Sequence, residues 1–154
     1  MRLGIIGAGR VGASFMLAFP AAVAGILCST KEHTQQKAER FHVTPYDDGA
    51  ALIRHCDIIL LTVGDDALAP LSQSLAAELD GEGEAAQKCI FHCSGAADLS
   101  PLAPLARLGF HTGSLHPLQS FAAPSAERLQ GIYIAVDGDE RAKAEAVRIV
   151  RALG

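Results

Sequence analysis

Apolar residues are grouped along the chain in short blocks, at 3–6, 22–28, 57–63, 88–93 and 132–136, each bounded by glycine, proline or charged residues. Blocks of four to seven residues with such borders read as strands. Between them, 11–19, 31–41, 47–55, 67–79 and 140–153 carry apolar residues at helical spacing, with Pro20 stopping or bending the first helix. A short third strand is expected at 42–44. The block at 57–63, DIILLTV, stays apolar without alternation after its acidic start, the pattern of a central parallel strand covered on both faces. Residues 80–87 hold two glycines and three carboxylates and read as a solvated loop. Short helical or loop segments at 100–108 and 125–129 flank the sequence GFHTGSLHPLQSF, and 140–153 closes the chain as an amphipathic helix. Strands alternating with helices predict an α/β fold: a doubly wound, mainly parallel sheet with helices on both faces.

The junction after the first strand carries the most chemistry. Gly7, Ala8, Gly9, Arg10, Val11 and Gly12 spell GxGxxG between a strand and a helix, the placement a dinucleotide pyrophosphate requires. Gly7 makes the tight turn, Gly9 lets a phosphate approach the backbone, and Gly12 allows close packing of helix on strand. The N–H groups and dipole at the helix start then face the anion. The alternatives are a glycine turn without a ligand, or a secretory signal following Arg2. Four glycines and an internal arginine argue against a signal.

The end of the second strand bears on which dinucleotide. An NAD site places a carboxylate there for the ribose 2′-OH, whereas an NADP site has small hydroxyls and a cation. Ser29, Thr30 and Lys31 stand at that point, which favours NADP. NAD stays open because Glu32 could reach back, and Lys31 could instead be a solvated residue of the next helix. Val63, Gly64 and Asp65 form the loop after the central strand, at the edge where ligands bind in open α/β sheets. Asp66 beside them reads as a helix cap rather than a catalytic acid.

Length and charge narrow the classes. A chain of 154 residues suits one domain with a proper core. Hydrophobic residues at 49% and charged residues at 19% describe an ordered globular protein, and no apolar run is long enough to cross a bilayer. A net charge of −4 without a basic block argues against nucleic acid as a partner. Cys28, Cys56, Cys89 and Cys93 lack CxxC spacing and read as buried thiols in a reducing cytoplasm. A zinc site at His92 and Cys93 lacks paired ligand spacing, so no metal is expected.

Four stretches together, GxGxxG at 7–12, DIILLTVGDDAL at 57–68, HCSGA at 92–96 and GSLHPLQSF at 113–121, resemble one group of Rossmann oxidoreductase-like proteins. These join an N-terminal NADP-binding domain to a C-terminal helical domain, and are related to pyrroline-5-carboxylate reductase, prephenate dehydrogenase, 3-hydroxyacid dehydrogenases and deazaflavin-dependent NADP reductases. The first two stretches are common to that superfamily, and the last two are more specific. The resemblance implies a further helical domain of about 100 residues or more, building a homodimer and closing the substrate pocket, beyond the single Rossmann domain of residues 1–154.

His92, His111 and His116 are expected near the carboxyl edge of the sheet. Reduction of a carbonyl needs a proton donor, and histidine side chains titrate near neutral pH. His116 is the first choice because it sits in the most specific motif and precedes Pro117, while His92 is expected to pack inside its strand. Ser94, with Gly95 beside it, could hydrogen-bond the nicotinamide carboxamide or the substrate, or merely cap its own turn. Two functions follow: an NADP-dependent reductase of a small 2-oxo acid (ketopantoate-like) or imine, or a nucleotide-sensing or partner-binding module without turnover.

Overall fold

The computed structural model describes residues 1–79, 83 and 85–154. Among these, the strands are β1 (Leu3–Ile6), β2 (Val23–Leu27), β3 (Thr44–Pro45), β4 (Ile58–Leu61), β5 (Cys89–His92), β6 (His111–Pro117) and β7 (Ile134–Gly138). The helices are α1 (Arg10–Ala18), α2 (Lys31–Phe41), α3 (Gly49–His55), α4 (Asp65–Leu79), α5 (Ala103–Arg107) and α6 (Glu140–Leu153). One sheet runs in the order β3-β2-β1-β4-β5-β6-β7, parallel throughout except for β7, which is antiparallel to β6. The chain winds outward from β1 to β3, returns to β4 and continues the other way. β1 and β4 pair in register from Leu3 with Ile58 to Ile6 with Leu61, and the topological switch point lies between their carboxyl ends.

Two layers of helices explain why β1, β4 and β5 are buried at every position, with His92 the single polar side chain among them. Leu3 and Ile5, Ile58 and Leu60, and Cys89 and Phe91 point into a core shared with α1, α2 and α6. Ile6, Ile59, Leu61 and Ile90 point the other way, into a core shared with α3, α4 and α5. Each strand thus buries both of its faces, and β4, fourth of seven, is fully buried. Caps set the helix starts: Thr30, Asp48 and Asp139 accept from the N–H groups of His33, Ala51 and Ala142.

The sequence pattern fails where local backbone hydrogen bonding or strand pairing decides an element's limits. The third strand is Thr44–Pro45, not 42–44, because His42 turns left-handed (φ 54°) to end α2 and donates to the Ala38 and Glu39 carbonyls. Helix α4 begins at Asp65, so Asp66 is a first-turn residue inside it rather than its cap. The expected loop at 80–87 closes with a 3₁₀ turn at Ala85–Gln87, and residues 80–82 and 84 lie outside the described residues. Within the motif at 109–121 there is an unexpected strand, β6, whose glycine and histidines hide its alternation. The last strand starts two residues later than expected and runs antiparallel. Near the carboxyl edge, the Gly131 N–H donates to the Gly154 carbonyl at 3.4 Å, which brings the end of α6 back beside the start of β7.

The junction of α1 with β1 is closed by backbone on backbone. A Cβ at Gly12 would collide with the Gly7 carbonyl oxygen and Thr62 Oγ1 and press on Ile5 Cγ2. The first of these is backbone and cannot swing away, so Gly12→Ala should cost roughly 1–3 kcal/mol or more. Chemical denaturation should show the fall in midpoint without a change in m-value; an unchanged midpoint would mean that the helix can slide.

Candidate functional site

The carboxyl ends of β1, β2 and β4 meet over the glycine turn. Gly7 takes φ +93°, a conformation that side chains disfavour, and its N–H donates to the Leu27 carbonyl at 2.8 Å. This bond pins the turn to the end of β2. The Gly7 carbonyl in turn accepts from Thr62 Oγ1, which ties it to the end of β4. Gly9 is the N-cap of α1, with no capping side chain, and a Cβ there would meet nothing within 4 Å. The helix therefore presents its first N–H groups to an open space, the geometry in which helix N-termini take up anions elsewhere.

That space is a cleft with two arms. One, of about 700 Å³, is lined by Gly7, Ala8 and Gly9, by Cys28 and Ser29 after β2, by His33, Gln36 and Lys37 of α2, and by residues 62–64 and 67. The other, of about 640 Å³, shares Gly9, Thr62, Val63 and Gly64 and continues past Arg10 and Val11 to a strap at 119–122. The strap is held down from behind: Ser125 N–H donates to Ser14 Oγ on α1 at 2.9 Å, and Arg128 Nη1 donates to the Ser120 carbonyl at 2.9 Å. The residue types and the two-armed shape fit an extended dinucleotide with its pyrophosphate over Gly9.

Of the residues expected here, Gly7, Ala8, Gly9, Arg10, Val11, Ser29, Val63 and Gly64 line the cleft. Gly12 lies beneath it as a packing residue. Asp65 is exposed in the first turn of α4 and lines neither arm. Thr30 spends its hydroxyl oxygen on the His33 N–H, and Lys31 Nζ stands 3.7 Å from Asp47 Oδ1. Lys31 and Glu32 border a separate depression on α2 with Gln35, Gln36 and Glu39. Among the described lining residues of the larger arm there is no carboxylate. Sequence reasoning missed Thr62, His33, Gln36, Lys37 and the strap. The i, i+4 spacing of His33 and Lys37 on a polar helix was the available signal, since it puts both on one face.

The histidines separate by strand register. His111 opens β6 opposite Cys89, at the amino edge, where it bonds Asp139 Oδ1 at 3.1 Å; it is not near the carboxyl edge as expected. His92 is fully buried at the end of β5. Its Nε2–H donates to the Asp98 carbonyl at 2.9 Å and its Nδ1 accepts from the Ser94 N–H at 3.2 Å, so the neutral ring holds both ends of the 94–98 turn. Ser94 Oγ accepts from the Ala96 and Ala97 N–H groups, which realises the capping role while leaving its own hydrogen to donate. His116 is half-buried, with Nδ1–H donating to the Cys93 carbonyl at 3.1 Å and its ring against Gly95. Cys93 O can only accept, so the other nitrogen, Nε2, is left for further chemistry. His116, Ser94 and Gly95 thus come together at the carboxyl edge but do not line either arm of the cleft.

The cysteines are all unpaired, and burial pushes the Cys56 and Cys89 thiols up to about 11 and Cys93 to about 12. Such thiols stay protonated and act as core residues. Among the described residues no helix is long and apolar enough to cross a membrane.

Comparison with known proteins places this geometry. Residues 1–117 match the model of the Rossmann-like domain, and the chain belongs to that family. No curated protein matches its sequence significantly. Among solved structures it is similar to a candidate NADP oxidoreductase from Bacteroides fragilis (18% identity, TM-score 0.79, covering 99% of this chain and 56% of that one). It is also similar to prephenate dehydrogenase from Aquifex aeolicus (12%, 0.77, 99% and 58%) and to 1-pyrroline-5-carboxylate reductase from Streptococcus pyogenes (16%, 0.73, 100% and 56%). At such identities the likeness is one of fold, and the chain spans a little over half the length of these proteins.

Two outcomes test the site as built. Gly9→Val puts a branched side chain into the open space above α1 and should abolish nucleotide binding with the circular dichroism spectrum and melting temperature nearly unchanged. Binding that survives would put the anion elsewhere. Burial lowers the pKa of His92 from its ordinary 6.5, so the unfolded chain binds a proton there before the folded one does. The stability His92 contributes is therefore complete above pH 6.5 and lost as pH falls through the lowered folded value. A denaturation series from about pH 7 to pH 5, above the ordinary carboxylate range, should show this slope in the native protein and a flatter one in His92→Gln. Equal slopes would refute the assignment.

Proposed function

We propose that the protein is the NADP(H)-binding part of an oxidoreductase that reduces a small 2-oxo acid, ketopantoate-like, or an imine. The observation that carries this reading is the cleft at the switch point, whose wall beside Ser29 offers cationic and neutral polar groups and no described carboxylate. An NAD site would need an acceptor for the ribose 2′-OH, and Glu32 lines a different depression. Gly7, Ala8, Gly9, Arg10, Val11, Val63 and Gly64 would hold the pyrophosphate and the nicotinamide half, with Ser29 nearest the ribose; Thr30 and Lys31, expected there from the sequence, are not among the cleft's lining. Gly12 supports the turn from below, and Asp65 stands at the rim.

The bound dinucleotide would supply a hydride. The chain's own part is to place a carbonyl or imine beside it and to furnish the proton. His116 is suited to the second task because its Nδ1–H is fixed on Cys93 O, which aims Nε2 away from the strand. Ser94, held by two backbone N–H groups, has one hydrogen left for a substrate oxygen or the carboxamide. Since neither residue lines the cleft, the pocket is completed by other protein, and we assign this to a helical second domain that also forms a homodimer. The exposure of Leu118 (58%) and Tyr133 (85%), hydrogen-bonded to each other through their backbones at that edge, supports a covering partner. The unpaired cysteines and the acidic net charge fit a cytoplasmic protein acting on small molecules rather than on nucleic acid or membranes.

Titration calorimetry should give tighter binding of NADPH than NADH by residues 1–154, which alone should show no turnover. With the second domain present, loss of nicotinamide absorbance against a panel of oxo acids and imines should identify the substrate. His116→Gln should then lower kcat by roughly 10²–10⁴ with nucleotide affinity kept. Binding without turnover on any of these compounds in the longer protein would favour a nucleotide-sensing module instead.

A further inference from the structure

Two lysines on α2 could serve the 2′-phosphate that distinguishes NADP, and the structure separates them. Lys31, the first residue of the helix, is 82% exposed and extends toward Asp47, itself 81% exposed, and it lines an adjoining depression rather than the cleft. It shares its surroundings with Glu32 and Glu39, two carboxylates that oppose an incoming dianion. Lys37 lies two turns further on, is half-buried, and lines the larger arm together with His33. Among the described residues Lys37 makes no ion pair, so its charge has no carboxylate to give up.

Helix geometry makes this placement productive. Residues 33 and 37 are four apart and stack on one face, and Cα–Cβ bonds tilt toward the N-terminus of a helix. Both side chains therefore lean toward the carboxyl edge, where Ser29 and the turn at Gly7–Gly9 close the same arm. A lysine stem is long and flexible enough to bring its ammonium up from the second turn. The exposed ends of Thr30 and Lys31 contribute less, because the Thr30 oxygen is already accepting from the His33 N–H and Lys31 faces its own acidic neighbours.

We propose that Lys37, with His33 one turn before it and Ser29 at the end of β2, forms the subsite for the ribose 2′-phosphate and is the residue that sets preference for NADP over NAD. The proposal rests on the reading of the cleft as an NADP(H) site.

Titration of NADP⁺, NAD⁺, 2′,5′-ADP and 5′-AMP into the native chain and into Lys37→Ala, Lys37→Arg and Lys31→Ala tests it. Lys37→Ala should weaken NADP⁺ and 2′,5′-ADP by roughly tenfold or more, the scale of a charge-assisted contact, and change NAD⁺ and 5′-AMP by less than about twofold. Lys37→Arg should restore most of the loss, and Lys31→Ala should cost less than about threefold. Because Lys37 is half-buried and belongs to neither apolar core, circular dichroism should be the same in all variants. Equal losses for both nucleotides in Lys37→Ala, or a larger loss of NADP preference in Lys31→Ala, would overturn the assignment. A native chain that prefers NADP⁺, with Lys37→Ala keeping that same preference, defeats only this subsite. A native chain that binds neither nucleotide, or prefers NAD⁺, defeats the broader reading and the subsite with it.

Discussion

Helix α1 can lie where it does only because position 12 carries no side chain. The Gly12 Cα faces the Gly7 carbonyl and the Thr62 hydroxyl at a separation that admits no methyl group. That closeness joins three elements at one point: the turn after β1, the start of α1 and the end of β4. Thr62 completes the joint by donating to Gly7 O, so a carbonyl buried under the helix is satisfied by a side chain from the neighbouring strand. The N-terminus of α1 is thereby fixed over the switch point, and the cleft exists because it is fixed there.

The rest of the site is arranged by hydrogen bonds that spend polar side chains on backbone. Thr30 caps α2, and Thr34 accepts from the Cys28 N–H at 2.9 Å while donating to the Thr30 carbonyl, which locks the exit from β2. His92 and Ser94 do the same for the exit from β5. Ser14, buried inside α1, anchors a strap more than a hundred residues away in sequence. These groups are polar and close to a ligand cleft, yet their main work is to hold loops still. Among the described residues, Lys37, His33, Nε2 of His116 and the Ser94 hydrogen are left unspent and keep capacity for a ligand.

How far the sequence discloses this depends on the range of the interaction. Strands β1, β2, β4 and β5 and helices α2 and α6 were legible because burial on two faces or one writes a periodic pattern, and the glycine turn because its spacing is itself the constraint. The limits of β3 and α4 were not, since the His42 N–H bonds back to α2 and the Ala67 N–H to the Gly64 carbonyl, local bonds that leave no periodic trace. β6 escaped because Gly113, Ser114 and His116 break its apolar run, and with it went the position of His111, which strand register alone assigns to the opposite edge. The division between Lys31 and Lys37 was also hidden. Adjacent position in sequence favoured the first, whereas the helix turn carries the second into the cleft.

The reversal at the last strand has a geometric consequence. In a sheet that stayed parallel, the final strand would climb to the carboxyl edge and the helix after it would descend, so the chain would leave from the amino edge. Here β7 descends and α6 climbs, and Gly154 is handed back to within a hydrogen bond of Gly131. Gly154 therefore lies toward the carboxyl edge of the sheet, beside its outermost strand. One antiparallel strand thus reverses the direction of the last helix, so that α6 ends at the same edge of the sheet as the glycine turn rather than at the opposite one.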